Sequence, residues 1–108
     1  MDKLNVEDLF SNPTYADNQY KIICQEIKDF QDTLDKEHEV GLITPNNSYK
    51  PFVICEIGYH NPSLIYFYGY IDGQIAQIIQ NVNQINLSLV AVQKENGKPA
   101  RRIGFSVD

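Results

Sequence analysis

Apolar and polar positions in the middle of the chain alternate in two runs that meet at a tight turn. The runs at residues 64–71 and 74–79 are separated by Asp72-Gly73, a dipeptide that favours a two-residue hairpin turn because both residues tolerate positive φ. The pattern therefore predicts a β-hairpin. A third run, at residues 87–92, is apolar on both sides, which favours a central place in the sheet.

The stretch between the hairpin and the third run, residues 80–86, is rich in amide side chains. It is too short for a domain linker, and we expect it to cross one end of the sheet with a short helical segment. Shorter runs at residues 40–44 and 52–58 predict two earlier strands, and Asn96-Gly97 leads into a last strand at residues 100–107.

Upstream of the strands, apolar residues recur at intervals of three and four over residues 17–36, which is the period of an amphipathic helix. The stripe consists of Tyr20, Ile23, Cys24, Ile27, Phe30, Gln31 and Leu34. Asn12-Pro13 resembles an N-cap followed by a first-turn proline. We expect residues 1–12 to form a partly ordered arm.

The predicted fold class is α+β, with one long N-terminal helix packed on an antiparallel sheet of about five to six strands. A chain of 108 residues suits one domain, residues 1–108. In the strand at residues 52–58, alternation places Val53, Cys55 and Ile57 together on one face.

The first hairpin strand is apolar on both faces. Alternation places Ile65 and Phe67 on one face and Tyr66, Tyr68 and Tyr70 on the other. A single helix covers only one face of such a sheet, so the tyrosine face requires another cover. A second subunit, a ligand, and water over the amphipathic rings remain open as alternatives.

The net charge of -5 narrows the class of partner. It argues against a nucleic-acid polymer, which is bound through many Lys and Arg contacts to phosphates, and against an anionic membrane. A small phosphorylated ligand stays compatible, because one local arginine pair can bind it. The chain has no long apolar run and an acidic N-terminus, so we expect a cytoplasmic protein.

Catalytic chemistry is not indicated. His38 lies in the charge run at residues 35–39, which is typical of a solvated helix end, and His60 lies in a predicted turn. Neither is near a candidate nucleophile and its orienting group, and there is no glycine-rich phosphate loop. Cys24 and Cys55 lack metal-ligand and redox spacing and are expected to be buried free thiols. We therefore predict a non-enzymatic protein without metal or cofactor.

Aromatic, cationic and amide side chains favour a binding function. Arg101 and Arg102 alternate across the predicted last strand, and a guanidinium suits a phosphate or stacks on a purine. The candidate ligand-binding residues are Phe67, Tyr68, Gln80, Asn83, Arg101 and Arg102. Other interpretations stay open: Phe67 as a core residue, the amides as caps of a short helix, and the arginines as surface charges.

Several segments resemble a bacterial and prophage family that is described as a domain of unknown function. They are Asn12-Pro13, IKDF at 27–30, LDKEHEVG at 34–41, IGYHNPSLIYFYG at 57–69, QIAQIIQNVNQINLSLVAV at 74–92 and ARRIGF at 100–105. That family is similar to the first Thoeris anti-defence family, phage proteins that act as sponges for the cyclic ADP-ribose signal of TIR-domain defence enzymes.

The resemblance implies an α+β protomer assembled as dimers or hexamers, with ligand pockets at subunit interfaces. Carried over by position, Phe67 would stack on the adenine, and Arg101 and Arg102 would hold the pyrophosphate. The implied function is a phage or prophage anti-defence protein that sequesters a cyclic nucleotide signal, a cyclic ADP-ribose isomer or a cyclic oligonucleotide, without cleaving it. The alternative is a small homo-oligomeric protein-interaction module with no small-molecule ligand.

Overall fold

The computed structural model describes residues 15–105. It contains a helix, α1 (Ala16–Asp32), and strands β1 (His38–Thr44), β2 (Asn47–His60), β3 (Leu64–Ile71), β4 (Gln74–Asn81) and β5 (Ser88–Gln93). The strands form one antiparallel sheet in the order β4-β3-β2-β1-β5. The predicted α+β fold, with an N-terminal helix on an antiparallel sheet, is confirmed. The arm predicted at residues 1–12 lies outside the described residues.

The helix packs on the sheet through the apolar stripe that its sequence predicts. Ile27 is fully buried, and the neighbours of Ile27 on the stripe pack against the same core. The sheet contributes Val40, Leu42, Phe52, Ile54, Ile57, Ile65 and Phe67 to this core. Each fully buried aliphatic or aromatic side chain of this size stabilises the fold by roughly 1.5 to 3 kcal/mol relative to an exposed one.

The first turn of α1 is held by the loop between β2 and β3. The backbone N–H of Ala16 donates to the carbonyl of Pro62 at 2.8 Å, and the N–H of Asp17 donates to Oδ1 of Asn61 at 3.0 Å. These contacts satisfy N–H groups that have no acceptor within the helix. The N-cap predicted at Asn12-Pro13 lies outside the described residues.

The helix ends at Asp32, earlier than the predicted end at Lys36. The carboxylate of Asp35 accepts a hydrogen bond from the N–H of Glu37 at 2.9 Å and lies 2.7 Å from Nδ1 of His38. A short acidic side chain that bonds to the backbone two residues ahead favours a turn over a helix. The chain therefore leaves α1 and enters β1 at His38.

The predicted hairpin is confirmed. Asp72 and Gly73 have φ angles of 53° and 79°, as a type I′ turn requires at both central positions. Pairing between β3 and β4 continues without a register shift from Ile71↔Gln74 to Leu64↔Asn81. This turn sets the register of both strands.

A β-bulge in β2 reverses the alternation of its side chains. The register with β3 shifts around Cys55, which leaves one extra residue on β2. Phe52 and Ile54 before the shift and Ile57 after it all lie in the core. The expectation that Val53, Cys55 and Ile57 share one face is therefore wrong.

β5 lies at an edge of the sheet beside β1, and the predicted central position is wrong. Leu89 packs against the core, whereas the side chain of Val92 lies over Gly41 on the opposite face, where a Cβ would collide with Cγ2 of Val92. The two-sided apolar pattern of this strand therefore reflects contacts with the core and with β1.

The connection from β4 to β5 runs from one edge of the sheet to the other. It contains a single 3-10 turn, Val82–Gln84, in place of the predicted helical crossover. Its apolar residues, Val82, Ile85 and Leu87, pack against the core. The connection therefore adds to the cover over the helix side of the sheet.

The predicted last strand does not form within residues 100–105, because the backbone there bonds to side chains. The N–H of Arg101 donates to Oε2 of Glu39 at 2.6 Å. The N–H of Ile103 donates to Oε1 of Gln31 at 2.8 Å, and its carbonyl accepts from Nε2 of Gln31 at 3.3 Å. The side-chain amide of Gln31 thus makes the two backbone hydrogen bonds to Ile103 that a neighbouring strand would otherwise make.

Candidate functional site

The sheet has an inner face, which α1 covers, and an outer face on the opposite side. The outer face carries Tyr66, Tyr68 and Tyr70 of β3 with Ile75 and Ile79 of β4. Ile75 and Ile79 are 88% and 54% exposed, and Tyr68 is also exposed. Within residues 15–105 no helix or strand lies over this face, so it is open to a ligand or a partner.

Two of the predicted ligand-binding residues lie on the inner face. Phe67 is 0% exposed in the core, so its ring has no free surface and the predicted stacking on adenine does not fit this position. Gln80 pairs with Ile65, and its Oε1 is buried without a hydrogen-bond partner among the described residues. Neither side chain reaches the outer face.

Asn83 lies far from the arginines. It is exposed in the 3-10 turn, where its N–H donates to Oδ1 of Asn81 at 2.9 Å. Asn81 pairs with Leu64, at the opposite end of β3 from Tyr70, which is about 20 Å away along an extended strand. Asn83 and a ligand at Tyr70 are therefore not brought together.

Arg102 is occupied by backbone carbonyls. Its Nη1 donates to the carbonyls of His38 at 2.7 Å and Arg101 at 3.1 Å, and its Nη2 donates to the carbonyl of Asp35 at 2.7 Å. These bonds join the C-terminal segment to the turn between α1 and β1. The predicted role of Arg102 in holding a phosphate does not fit this geometry.

Arg101 lies on the outer face, where its Cζ is 4.5 Å from the centre of the Tyr70 ring, a cation–π contact. Its Nη1 is 3.8 Å from Oε2 of Glu39, and its Nη2 is 3.7 Å from Oε1 of Glu95. Both distances are longer than a hydrogen bond. The guanidinium is thus held in place while N–H donors remain available for a ligand.

Glu39 fixes the backbone of Arg101. The carboxylate is buried and accepts the hydrogen bond of the Arg101 N–H described above. A charge-assisted bond to a buried carboxylate is shorter and stronger than one between neutral groups. The position of the Arg101 guanidinium over Tyr70 therefore depends on Glu39.

Arg101 and Tyr70 line an open cleft of about 360 Å³ on the outer face, a volume within the range of roughly 300 to 1,000 Å³ that small-molecule sites occupy. Val92 and Gln93 of β5 form part of its wall. The remaining polar and aromatic lining residues include Glu39, Tyr49, Lys50, Asp72 and Glu95. Nζ of Lys50 lies 2.9 Å from Oδ2 of Asp72, so the cleft contains two cations that each have acidic neighbours.

Comparison with known proteins places the chain in a family. A family model described as a family of unknown function, DUF6173, matches residues 12–106. The chain belongs to the DUF6173 family. No curated protein and no solved structure matches it. Because the family description names no ligand, the chemistry of this DUF6173 protein has to be inferred from its own cleft.

Most of the cleft in this DUF6173 chain has no local signal in the sequence. Glu39 belongs to a charge run that indicates a solvated helix end, yet it is 3% exposed. Tyr70 shares the alternation of Tyr68, and that signal does place it on the outer face. Tyr49 and Lys50 carry no such signal, because they reach the cleft through the pairing of β2 with β1.

The two thiols of the DUF6173 chain are free and half-buried. Burial raises the pKa of Cys24. Burial also raises the pKa of Cys55, although the nearby Arg101 opposes the shift. A raised pKa keeps a thiol protonated and less reactive.

His38 is paired with Asp35, the acid three positions earlier in the chain. The hydrogen bond to His38 lowers the pKa of Asp35. Across residues 15–105 no group of three or more His, Cys, Asp or Glu side chains is arranged to hold a metal ion. The one helix in this range lacks the length and apolar character needed to cross a membrane.

Proposed function

We propose that this protein binds a cyclic nucleotide signal in the cleft beside Arg101 and sequesters it without cleaving it. The observation that carries the proposal is the Arg101 guanidinium, which is stacked on Tyr70 at 4.5 Å with N–H donors available in the cleft. A guanidinium held in this way can bind a phosphate through parallel N–H groups. Tyr49 is exposed at the cleft and offers a ring face to a base.

Acidic side chains in the cleft restrict the ligand. Glu39 and Glu95 lie 3.8 and 3.7 Å from Arg101, and Asp72 pairs with Lys50. Three carboxylates disfavour a ligand with many phosphates, whereas Arg101 and Lys50 can hold one or two. This balance favours a cyclic ADP-ribose isomer over cyclic oligonucleotides with more phosphates.

Sequestration rather than turnover is supported by the lining of the cleft. The described residues that line it include no histidine, cysteine, serine or threonine, so a serine, threonine or cysteine nucleophile paired with a histidine base is not formed there. The resemblance to the Thoeris anti-defence family adds that the protein is of phage or prophage origin and acts in the cytoplasm. Such a protein lowers the free concentration of the signal.

Ligand binding can be tested by a thermal-shift screen against ADP-ribose, its cyclic isomers, and cyclic di- and trinucleotides. A ligand present at 100 times its dissociation constant adds about 2.7 kcal/mol to the native state, which raises the melting temperature of a domain this size by about 10 °C or more. We expect one cyclic species to give this rise. Failure of every species to shift the melting temperature would overturn the proposal.

The role of Arg101 can be tested by calorimetry on Arg101→Gln. Loss of a charge-assisted phosphate contact should weaken binding by about tenfold or more, roughly 1.5 to 3 kcal/mol. Lys21→Gln is the matched control, because it makes the same charge change at an exposed helix position outside the cleft, and its affinity should equal that of the wild type. Equal affinities for all three proteins would place the site elsewhere.

Sequestration and hydrolysis are separated by the fate of the ligand. The protein is incubated with the bound species and heated, and the released ligand is analysed by chromatography. Recovery of intact ligand supports sequestration, whereas recovery of a ring-opened product would show an enzyme that uses the same cleft.

A second candidate function is a small homo-oligomeric interaction module without a small-molecule ligand. The observation in its favour is the exposure of Ile75 and Ile79 on the outer face, since exposed apolar patches on a small protein often mark contact sites. This function predicts self-association together with no response in the ligand screen.

A further inference from the structure

Among residues 15–105, β4 (Gln74–Asn81) lies at an edge of the sheet and lacks the protection that edge strands usually have. Natural edge strands carry charges, proline, or bulges that prevent pairing with another chain. The sequence of β4 is QIAQIIQN, and no charged residue occurs between Gly73 and Gln93. Its pairing with β3 shows no bulge. This edge is therefore suited to accept another strand.

The type I′ turn determines which backbone groups of β4 point to the open edge. In a two-residue hairpin the residues that flank the turn, Ile71 and Gln74, form a hydrogen-bonded pair. Such pairs then recur at every second residue. The N–H and carbonyl groups of Ile75, Gln77 and Ile79 consequently point away from β3.

The sequence of β4 is nearly palindromic about Gln77. Moving outward from Gln77, the chain has Ala76 and Ile78, then Ile75 and Ile79, and then Gln74 and Gln80. Residues directly opposite each other in an antiparallel pair share a face. A two-fold axis through Gln77 therefore places Ile75 of each copy against Ile79 of the other, so that the two exposed isoleucines cover each other.

We propose that two copies of this protein pair antiparallel through β4, with the two-fold axis at Gln77. The residues whose backbone groups point to the open edge then form the hydrogen-bonded pairs between the copies. Gln77 pairs with Gln77 of the second copy, and each Ile75 pairs with Ile79 of the second copy. About six backbone hydrogen bonds join the two sheets into one. Both α1 helices lie on the same side of the joined sheet, and both outer faces lie on the other.

Gln80 lies on the inner face of β4, opposite Ile65 of β3. Its Oε1 is buried and has no hydrogen-bond partner among the described residues, which is an unusual condition for a polar atom in a folded protein. In the proposed pair, Gln74 of the second copy lies directly opposite on the inner face. The amide of Gln74 can donate to this oxygen once the Gln80 side chain turns toward the second copy.

The other edge of the sheet does not offer the same match. β5 (Ser88–Gln93) is shorter than β4. It is followed by Lys94, whose Nζ lies 3.6 Å from Oε2 of Glu37. A charge beside an edge strand opposes pairing with another chain. β4 also contributes no residue to the cleft, so the inference stands whether or not the cleft binds a nucleotide.

The pairing can be tested by light scattering and sedimentation on the full chain at micromolar concentration. We expect a dimer for the wild type. Gln77→Lys places two like charges opposite each other at the axis and should weaken the dimer by about tenfold or more. Gln93→Lys makes the same change on β5 and should leave the dimer intact. A monomeric wild type, or a Gln77→Lys protein that dimerises as well as Gln93→Lys, would overturn the proposal.

Disulfide trapping tests the register directly and does not depend on how Gln77→Lys folds. Opposite residues in a hydrogen-bonded antiparallel pair have Cα atoms about 5.5 Å apart, within the range that a disulfide spans. Gln77→Cys should therefore form a covalent dimer under mild oxidation, while Gln93→Cys and the wild type should not. Equal cross-linking of the three proteins, or none in Gln77→Cys, would contradict the proposed axis.

Discussion

The inner and outer faces of the sheet are both apolar, but they use different residue types. On β3 the inner face carries Ile65 and Phe67, which are fully buried, whereas the outer face carries Tyr66, Tyr68 and Tyr70. A phenylalanine has no polar atom to satisfy, while a tyrosine can keep its hydroxyl in water as its ring packs against a neighbour. The inner face is thus suited to permanent burial within the protomer. The outer face is suited to reversible contact with a ligand or a partner.

The largest contrast is expected between two adjacent residues on β3. Phe67→Ala removes a fully buried ring and should lower the free energy of unfolding by about 3 to 5 kcal/mol. Tyr68→Ala removes an exposed ring and should lower it by less than about 1 kcal/mol. Urea unfolding followed by circular dichroism measures both. Similar losses for the two variants would mean that the outer face is also permanently covered.

Adding a Cβ at Gly69 and at Gly41 should also destabilise the protein to different extents. A Cβ at Gly69 would collide with the carbonyl of Val53, and the backbone there cannot move without disturbing the bulge. We expect Gly69→Ala to cost about 3 kcal/mol. A Cβ at Gly41 would meet the side chain of Val92, which can change its rotamer at about 1 kcal/mol. The same denaturation series gives both values, and a larger loss for Gly41→Ala would show that Val92 is rigidly held.

The smallest expected effect is a pH dependence of the free energy of unfolding that comes from Tyr20 of α1. Burial, followed by the hydrogen bond with Cys24, raises the pKa of Tyr20 to about 12. The pKa is near 10 in the unfolded chain, so the unfolded state loses this proton first. Stability should therefore be unaffected by Tyr20 below pH of about 10 and should fall between about 10 and 12. Tyr20→Phe should show a smaller fall over that interval in pH-dependent unfolding, and a fall as large as that of the wild type would contradict the assignment.

The elements that could be predicted from sequence are those with local causes. The stripe of α1 and the hairpin at Asp72-Gly73 depend on residues close together in the chain, and both are confirmed. The bulge at Cys55 depends on how β2 pairs with β3, and the edge position of β5 depends on its pairing with β1, which lies far earlier in the chain. Alternation by itself contains no information about either of them.

The candidate site was less predictable than the fold for the same reason. Alternation separates Phe67 from Tyr68 but does not determine which face the helix covers. The two adjacent arginines look equivalent in sequence, yet Arg102 is held by carbonyls of residues near position 38, and Arg101 is held by Glu39 and Tyr70. These partners come from parts of the chain more than about 30 residues away, which local patterns do not connect.

The place of β5 in the sheet has a consequence for the order of folding. Within residues 15–105, β1 to β4 pair with sequence neighbours, whereas β5 pairs with the distant strand β1, from His38↔Gln93 to Ile43↔Ser88. Closing so long a loop is entropically expensive, and such contacts form late. Because Val92, Gln93 and Arg101 line the cleft, the cleft is completed only at this last step. A bound ligand should therefore slow the departure of β5 during unfolding and leave the rate of hairpin formation unchanged.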